Sequence, residues 1–178
     1  MLIRRKLIRE RAVGVLDRFN VRKAPVDVEK LAERLGAKVA MEPAPDELSG
    51  FLLRDPRKNV VIIGVNANHH ENRQRFTIAH ECGHLLLHEG DELHVDKQGS
   101  GYQVNLRDGE SSSGKNVDEM EANLFAAELL MPVGFLDADL AKKVPLNVDD
   151  DKIIELAEKY KVSVQALALR LKYLGCIQ

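Results

Sequence analysis

Two histidines lie four residues apart in the segment His80-Glu81-Cys82-Gly83-His84, and a glutamate directly follows the first of them. On an α-helix, residues four apart share one face, so both imidazoles can point at a single ion. Zinc accepts such nitrogen ligands at about 2.0–2.1 Å. Glu81 stands where its carboxylate can reach a water molecule at the metal without binding the metal itself. The segment therefore predicts a zinc site on a helix, with Glu81 as the catalytic base.

The residues around this motif argue against a fully solvated helix. Apolar side chains precede it at 76–79 and follow it at 85–87, so the histidine pair is expected to lie in a cleft. Gly83 costs about 1 kcal/mol relative to Ala inside a helix, and its presence predicts that another element packs closely against it. Cys82 lies about 200° from the first histidine around the helix and is expected to pack rather than to bind metal.

A catalytic zinc needs a third protein ligand and one open position. A third histidine ten residues after the first is excluded, because that position is Gly90. The helix predicted at about 117–131 offers Glu119, and Asn123 lies one turn later on the same face. We predict that Glu119 completes the ligand set and that Asn123 hydrogen-bonds to a ligand histidine. Glu121 lies on the other side of this helix and is expected to face solvent.

The spacing of the two histidines and Glu81 is that of the H-E-x-x-H metallopeptidases, which predicts peptide hydrolysis as the reaction. This reaction also needs a donor that stabilises the tetrahedral oxyanion. His94, Tyr102 and Arg107 lie between the two motif helices, and the sequence leaves the choice among them open. His88 continues the four-residue spacing, but a fourth protein ligand would close the open position. A capping or helix-dipole role is therefore favoured for His88.

The wider pattern predicts an α+β fold, mostly helical, with helices packed on a small sheet. Three strands separated by turn residues are predicted at Ala37–Met41, Leu48–Arg54 and Asn59–Val65. The short turns between them favour an antiparallel meander. Helices are predicted at about 3–19, 28–35, 71–88 and 117–131, and again in the last third of the chain.

The last two predicted helices meet at Lys161–Ser163 with the spacing of a helix-turn-helix. Basic residues on this pair are accompanied by a run of three aspartates and further glutamates. Direct nucleic-acid binding is therefore disfavoured, and packing or substrate docking is the preferred interpretation.

Bulk properties exclude several classes of protein. The net charge is −2, which gives no overall field for nucleic acid or an anionic membrane. The apolar runs are too short to span a bilayer, and the N-terminal residues lack the continuous apolar stretch of a secretory signal. The two cysteines, Cys82 and Cys176, argue against a disulfide framework. We expect a cytoplasmic protein that does not interact with membranes.

Both motif segments, Arg73–His88 and Glu119–Pro132, resemble the signature of the ImmA/IrrE metallopeptidases, and Tyr160–Gly175 is similar to that family as well. The resemblance covers roughly residues 14–175 and implies a zincin-like fold. Residues 1–135 are then expected to form the zincin-like metallopeptidase domain with a small three-stranded antiparallel sheet. Residues 136–178 are expected to form a helix-turn-helix-like segment packed on it.

The resemblance also implies a function. Zn²⁺ would be held by His80, His84 and Glu119, with Glu81 as base, and the protein would be an endopeptidase acting on a helix-turn-helix repressor. The alternative is a zinc-stabilised module that binds a partner without cutting it. The presence of Glu81 favours the endopeptidase, because a purely structural zinc site has no use for that carboxylate.

Overall fold

The fold is known from a computed structural model, which describes residues 2–88, 92–97, 114–140 and 150–177. The helices in these ranges are α1 (Arg5–Arg18), α2 (Val28–Arg34), α3 (Glu71–Leu87), α4 (Gly114–Leu130), α5 (Val133–Asp139), α6 (Asp150–Tyr160) and α7 (Val164–Tyr173). The strands are β1 (Ala37–Glu42), β2 (Leu48–Asp55), β3 (Val60–Asn66) and β4 (Leu93–Lys97). The fold is α+β.

The sheet has four strands in the order β1-β3-β2-β4, so the prediction of three antiparallel strands is wrong. β2 pairs antiparallel with β3 and with β4, but β1 pairs parallel with β3. The connection from β1 to β2 therefore passes over the end of β3 instead of forming a hairpin. Asn66 at that end makes this crossing possible.

The Asn66 side chain is 1% exposed and serves as the anchor of the crossing segment. Its Nδ2 donates to the carbonyl oxygens of Ala44, Pro45 and Leu48 at 2.9–3.1 Å, and its Oδ1 accepts from the backbone N–H of Ala44 at 3.1 Å. One buried side-chain amide thus supplies hydrogen bonds to the backbone of a turn that contains two prolines and makes few backbone hydrogen bonds of its own.

β4 was not predicted from the sequence, because its alternation is reversed relative to the usual pattern of a half-buried strand. Leu93 and Val95 are exposed, whereas Asp96 is buried and His94 is partly buried. The polar side chains of this strand therefore face the interior. They lie on the side of the sheet that α3 covers, in register with the buried Leu52.

Helix α3 packs between the sheet and α4, and its closest approach to α4 is at Gly83. A Cβ atom at Gly83 would lie 3.0 Å from Cα and 3.1 Å from the carbonyl oxygen of Ala122. This contact confirms the prediction that another element packs tightly against the glycine. It brings the second half of α3 against the middle of α4, which is where both motifs lie.

The C-terminal helices pack on the same core as the rest of the chain. Arg170 of α7 is fully buried and forms two hydrogen bonds with Glu128 of α4, at 3.0 and 2.6 Å. Helix α5 crosses the boundary expected at residues 135 and 136. No helix within the described ranges is both long enough and apolar enough to cross a lipid bilayer.

Candidate metal centre

Helix α3 begins at a cap formed by His70, whose Nδ1 accepts from the backbone N–H of Asn72 at 3.2 Å. At its other end, Arg54 of β2 donates from Nη2 to the carbonyl oxygens of His84 and His88, at 2.8 and 3.2 Å. These carbonyls lie at the end of the helix, where few backbone N–H groups remain to bond them; the His84 carbonyl also accepts from the backbone N–H of His88 at 3.3 Å. The sheet thus fixes the turn of α3 that carries His84.

Both motif histidines are buried and face each other, with 3.0 Å between the two Nε2 atoms. Glu119 of α4 reaches the same point: its Oε2 lies 3.3 Å from the Nε2 of His80, and its Oε1 lies 3.5 Å from the Nε2 of His84. His94 of β4 joins them, with its Nε2 3.3 Å from Oε1 of Glu119. The structure therefore brings together the three residues predicted as ligands and adds a third histidine.

The separations of these donor atoms fit a tetrahedral zinc ion. Ligands at about 2.0–2.1 Å from a tetrahedral centre lie about 3.3–3.4 Å from one another, close to the 3.0–3.5 Å between the donor atoms of His80, His84 and Glu119. Within the described residues, Oε2 of Glu119 and Nε2 of His94 are buried without a hydrogen-bond partner. Such atoms would be costly in a centre that holds no cation.

Protonation favours metal binding at two of these positions. Burial lowers the pKa of His84 to about 4, with the neighbouring His80 and His94 acting in the same direction, so this imidazole is neutral. Burial acts to raise the pKa of Glu119, but its contacts with His80 and His84 outweigh burial and hold the pKa well below its usual range. A neutral imidazole and an ionised carboxylate are the forms that bind metal.

Glu81 lies beside this cluster without belonging to it. Its side chain is fully buried, and neither carboxylate oxygen has a hydrogen-bond partner among the described residues. Burial raises the pKa of Glu81 to about 8, with Asp96 and Glu119 adding to the effect. A buried carboxyl group that holds a proton near neutral pH has the properties of a general base and acid.

Asn123 contacts the far side of His80, where its Oδ1 accepts a hydrogen bond from Nδ1 of the histidine at 2.9 Å. Because an amide oxygen only accepts, Nδ1 of His80 carries a proton, and in the neutral ring that binds metal Nε2 then carries the lone pair. This contact is the one that the shared helix face of Glu119 and Asn123 predicts.

Glu121 is buried, so the expectation that it faces solvent is wrong. Its side chain is 1% exposed and forms an ion pair with Arg4, which precedes α1. Glu121 does lie on the side of α4 away from Glu119, but the N-terminal segment covers that side. Its Oε2 also lies 3.2 Å from Nε2 of His88.

The other sequence candidates are placed as follows. His88 is the C-terminal cap residue of α3; it contacts Glu121 through Nε2 and the Nδ1 of His84 through its own Nδ1, and it does not reach Glu119 itself. Cys82 is fully buried, and burial raises the pKa of its thiol to about 12. Tyr102 and Arg107 lie outside the described residues. The sequence indicates His94 only as a candidate donor for the oxyanion, and its position beside His84 and Glu119 follows from β4, which was not predicted.

Several known proteins are similar to this chain. Radiation response metalloprotease IrrE of Deinococcus radiodurans is 33% identical over 113 residues, which are 63% of this chain and 30% of that protein. The protein of the same name from Deinococcus deserti is 36% identical over 110 residues, 61% of this chain and 34% of that protein. An uncharacterized immunity region protein 2 of Bacillus phage phi105 is 33% identical over 86 residues, 48% of this chain and 46% of that protein. The chain thus spans about a third of the length of its Deinococcus relatives.

A solved structure, described as a Mycobacterium tuberculosis transcriptional regulator, matches with a TM-score of 0.56. At 18% identity, over 92% of this chain and 46% of that one, this likeness concerns the fold alone. Residues 32–172 match the family model of the M78 peptidases, described as the IrrE N-terminal-like domain. Since that range is most of the chain, the protein belongs to the M78 peptidase family and carries an IrrE N-terminal-like domain, as its ImmA/IrrE-like motifs indicate.

Proposed function

We propose that this protein is a zinc-dependent endopeptidase in which His80, His84 and Glu119 hold Zn²⁺ and Glu81 acts as the base. The observation that carries the proposal is the buried Glu81, whose two oxygens have no hydrogen-bond partner in the described part of the chain and which lies beside a cluster with the donor spacing of zinc. The name of the two Deinococcus relatives, radiation response metalloprotease, supports the same activity.

The reaction is the hydrolysis of a peptide bond. Zinc, when bound, supplies Lewis-acid chemistry that activates water and polarises the scissile carbonyl. Glu81 accepts the proton of the attacking water and then delivers it to the leaving amine nitrogen. The raised pKa of Glu81 suits this exchange, because the carboxyl group takes up and releases a proton near neutral pH. Asn123 keeps His80 in the tautomer that directs Nε2 into the cluster.

His94 is the oxyanion donor that we favour among the three sequence candidates. Its ring centroid lies 3.8 Å from that of His84, and its side chain is 25% exposed, so it lies against the cluster and remains partly accessible. A neutral imidazole at this position can donate to the oxygen that becomes negative in the transition state. A fourth protein ligand would instead close the position that substrate needs.

The substrate that we propose is a specific regulatory protein, a repressor of the helix-turn-helix class, acted on in the cytoplasm. The support is the similarity to an immunity region protein of a phage and the ImmA/IrrE-like motifs. We propose that the paired helices α6 and α7 form a docking surface for that substrate rather than for DNA.

The alternative is a module in which zinc stabilises the fold and the protein binds its partner without cutting it. One observation favours it: Gly83 and Ala122 bring α3 and α4 so close that metal bound between the helices would also stabilise their packing. The two functions differ in whether Glu81 is needed after metal is bound.

Glu81→Gln separates them. Wild-type protein loaded with zinc is incubated with a candidate repressor, and cleavage is followed by mass spectrometry alongside the zinc content of both proteins. We expect Glu81→Gln to retain its zinc and to cleave at least about 100-fold more slowly. Cleavage at the wild-type rate by the zinc-loaded variant would rule out Glu81 as the base.

Glu71→Gln is the matched control, because Glu71 begins the same helix. Its side chain is exposed and pairs with Lys161 at 3.0 Å, remote from the cluster. We expect this variant to bind zinc and to cleave like wild type. A protein that binds zinc and its partner but never cleaves it would be the zinc-stabilised module.

A further inference from the structure

We infer that His88 and Glu121 are positioning residues that hold the proton of His84 on Nδ1, and that Arg4 secures them from the N-terminal segment. The inference rests on the proposed zinc site, because it concerns which nitrogen of His84 faces the metal. It assigns a role to three residues outside the ligand set.

The contacts form a continuous series from the surface to the ligand. Nδ1 of His84 lies 3.2 Å from Nδ1 of His88, and Nε2 of His88 lies 3.2 Å from Oε2 of Glu121. All three side chains are shielded from water, with exposed fractions of 5%, 9% and 1%. The backbone of His88 is fixed as well, since its carbonyl oxygen accepts from Arg54.

The direction of each hydrogen bond follows from the chemistry of its partners. An ionised carboxylate only accepts, so Nε2 of His88 donates to Glu121. In the tautomer of His88 that has its proton on Nε2, Nδ1 is an acceptor, and it accepts from Nδ1 of His84. The remaining nitrogen of His84, Nε2, therefore carries the lone pair. It is the nitrogen that lies 3.5 Å from Glu119.

Arg4 keeps Glu121 in the ionised form and in place. The backbone N–H of Arg4 donates to Oε1 of Glu121 at 2.9 Å, and its Nε donates to both carboxylate oxygens at 3.0 and 3.1 Å. Nη2 of Arg4 pairs with Oε2 and also approaches the carbonyl oxygen of Leu87 at 3.4 Å. One residue before α1 thus joins the end of α3 to the middle of α4.

The two ligand histidines are oriented in different ways. His80 is held directly by Asn123, a neighbour of Glu119 on α4. His84 is held through His88, whose carboxylate partner depends on a residue 117 positions away in sequence. Partners of this kind typically change metal affinity about 10- to 100-fold when they are removed.

The test compares the zinc affinity of two His88 variants, measured by letting each protein compete with a chromophoric chelator for zinc. Leucine cannot hydrogen-bond, whereas glutamine can accept from His84 through Oε1 and donate to Glu121 through Nε2. We expect His88→Leu to weaken zinc binding about 10- to 100-fold and His88→Gln to bind nearly as tightly as wild type. Thermal unfolding of the metal-free proteins is measured in parallel, to separate affinity from folding.

Arg4→Met and Arg9→Met form a matched pair that remains informative if His88→Leu fails to fold. Both arginines are about half-exposed, and both pair with a buried glutamate of α4, Arg9 with Glu128 at 3.2 Å. Only the glutamate that pairs with Arg4, Glu121, contacts His88 and through it His84. We expect Arg4→Met to weaken zinc binding about tenfold and Arg9→Met to leave it unchanged.

The inference is overturned if His88→Leu binds zinc like wild type, or if His88→Gln loses as much affinity as His88→Leu. Equal affinities of Arg4→Met and Arg9→Met would also overturn it. These outcomes are distinct from a failure of the proposed function, in which wild-type protein itself binds no zinc.

Discussion

Gly83 of α3 lies against the backbone of Ala122 of α4, and a Cβ atom on the glycine would be 3.0 Å from the neighbouring Cα. This contact sets the distance between the two helices that carry His84 and Glu119. Since the atoms in the way belong to the backbone and to a fully buried residue, they cannot move aside without separating the helices.

We predict that Gly83→Ala destabilises the protein and weakens zinc binding. Alanine improves helix propensity by about 1 kcal/mol, but overpacking of a tight contact costs about 1–3 kcal/mol. The net loss is therefore up to about 2 kcal/mol, measured by urea unfolding of the metal-free protein. Gly14→Ala is the control, because nothing lies within 4 Å of a Cβ at Gly14 in α1. It should stabilise the protein, and an equal gain in Gly83→Ala would contradict the close contact.

His94→Gln distinguishes an oxyanion donor from a metal ligand. If His94 donates to the developing oxyanion, its loss should lower kcat by about 100- to 1,000-fold while zinc affinity changes little. A metal ligand would instead show a large loss of affinity. Chelator competition and cleavage of the substrate are measured on the same preparation, and a large drop in zinc affinity would refute the donor role.

The stability contributed by Glu121 should depend on pH in a defined direction. Burial acts to raise its pKa, but hydrogen bonds from Arg4 and His88 outweigh burial and lower the pKa to about 2. A folded-state pKa below the unfolded value stabilises the protein above the unfolded pKa of about 4.3, and this contribution is lost as pH falls toward 2. Metal-free Glu121→Gln should therefore be less stable than wild type by about 1–3 kcal/mol at pH 6.

The difference in the free energy of unfolding between wild type and Glu121→Gln should then decrease as the pH falls from about 4.5 to 2. Urea midpoints across this range give the measurement. A gap that stays constant or widens as the solution becomes more acidic would show that Glu121 is not held as a carboxylate by its partners.

The buried pair of Arg170 and Glu128 should be essential for attachment of the C-terminal helices. Arg170 also donates from Nε to the carbonyl oxygen of Met131 at 3.2 Å, so it joins α7 to the end of α4. Glu128→Gln leaves a buried guanidinium without its countercharge and should cost about 3–5 kcal/mol. Replacing both partners with Arg170→Met and Glu128→Leu should recover much of that loss. Equal stabilities of Glu128→Gln and wild type would show that the pair does not hold α7.

Local patterns were sufficient to predict the two helices of the site. The motif helix was predicted at 71–88 and is Glu71–Leu87, and the second was predicted at 117–131 and is Gly114–Leu130. Helical spacing depends only on neighbours along the chain, so it can be predicted from the sequence. For the same reason Asn123 could be placed on the face of Glu119.

Features set by distant parts of the chain were missed. The parallel pairing of β1 with β3 depends on Asn66, whose hydrogen bonds to the crossing segment have no periodic pattern in the sequence. β4 points His94 and Asp96 inward, and His94 lies beside Glu119. The polar environment of the cluster comes from other elements and cannot be seen in the sequence of the strand. The burial of Glu121 depends on Arg4, which no analysis of α4 by itself could supply.

The most direct test of the proposed metal centre is a zinc-binding titration of wild type, Glu81→Gln and Glu119→Ala, with metal content determined by mass spectrometry. Wild type and Glu81→Gln should each bind one zinc ion per chain with similar affinity. Glu119→Ala should bind at least about 100-fold more weakly, since it loses a ligand rather than an outer-shell partner. Zinc binding by Glu119→Ala at the wild-type level would contradict the assignment of this residue to the metal centre.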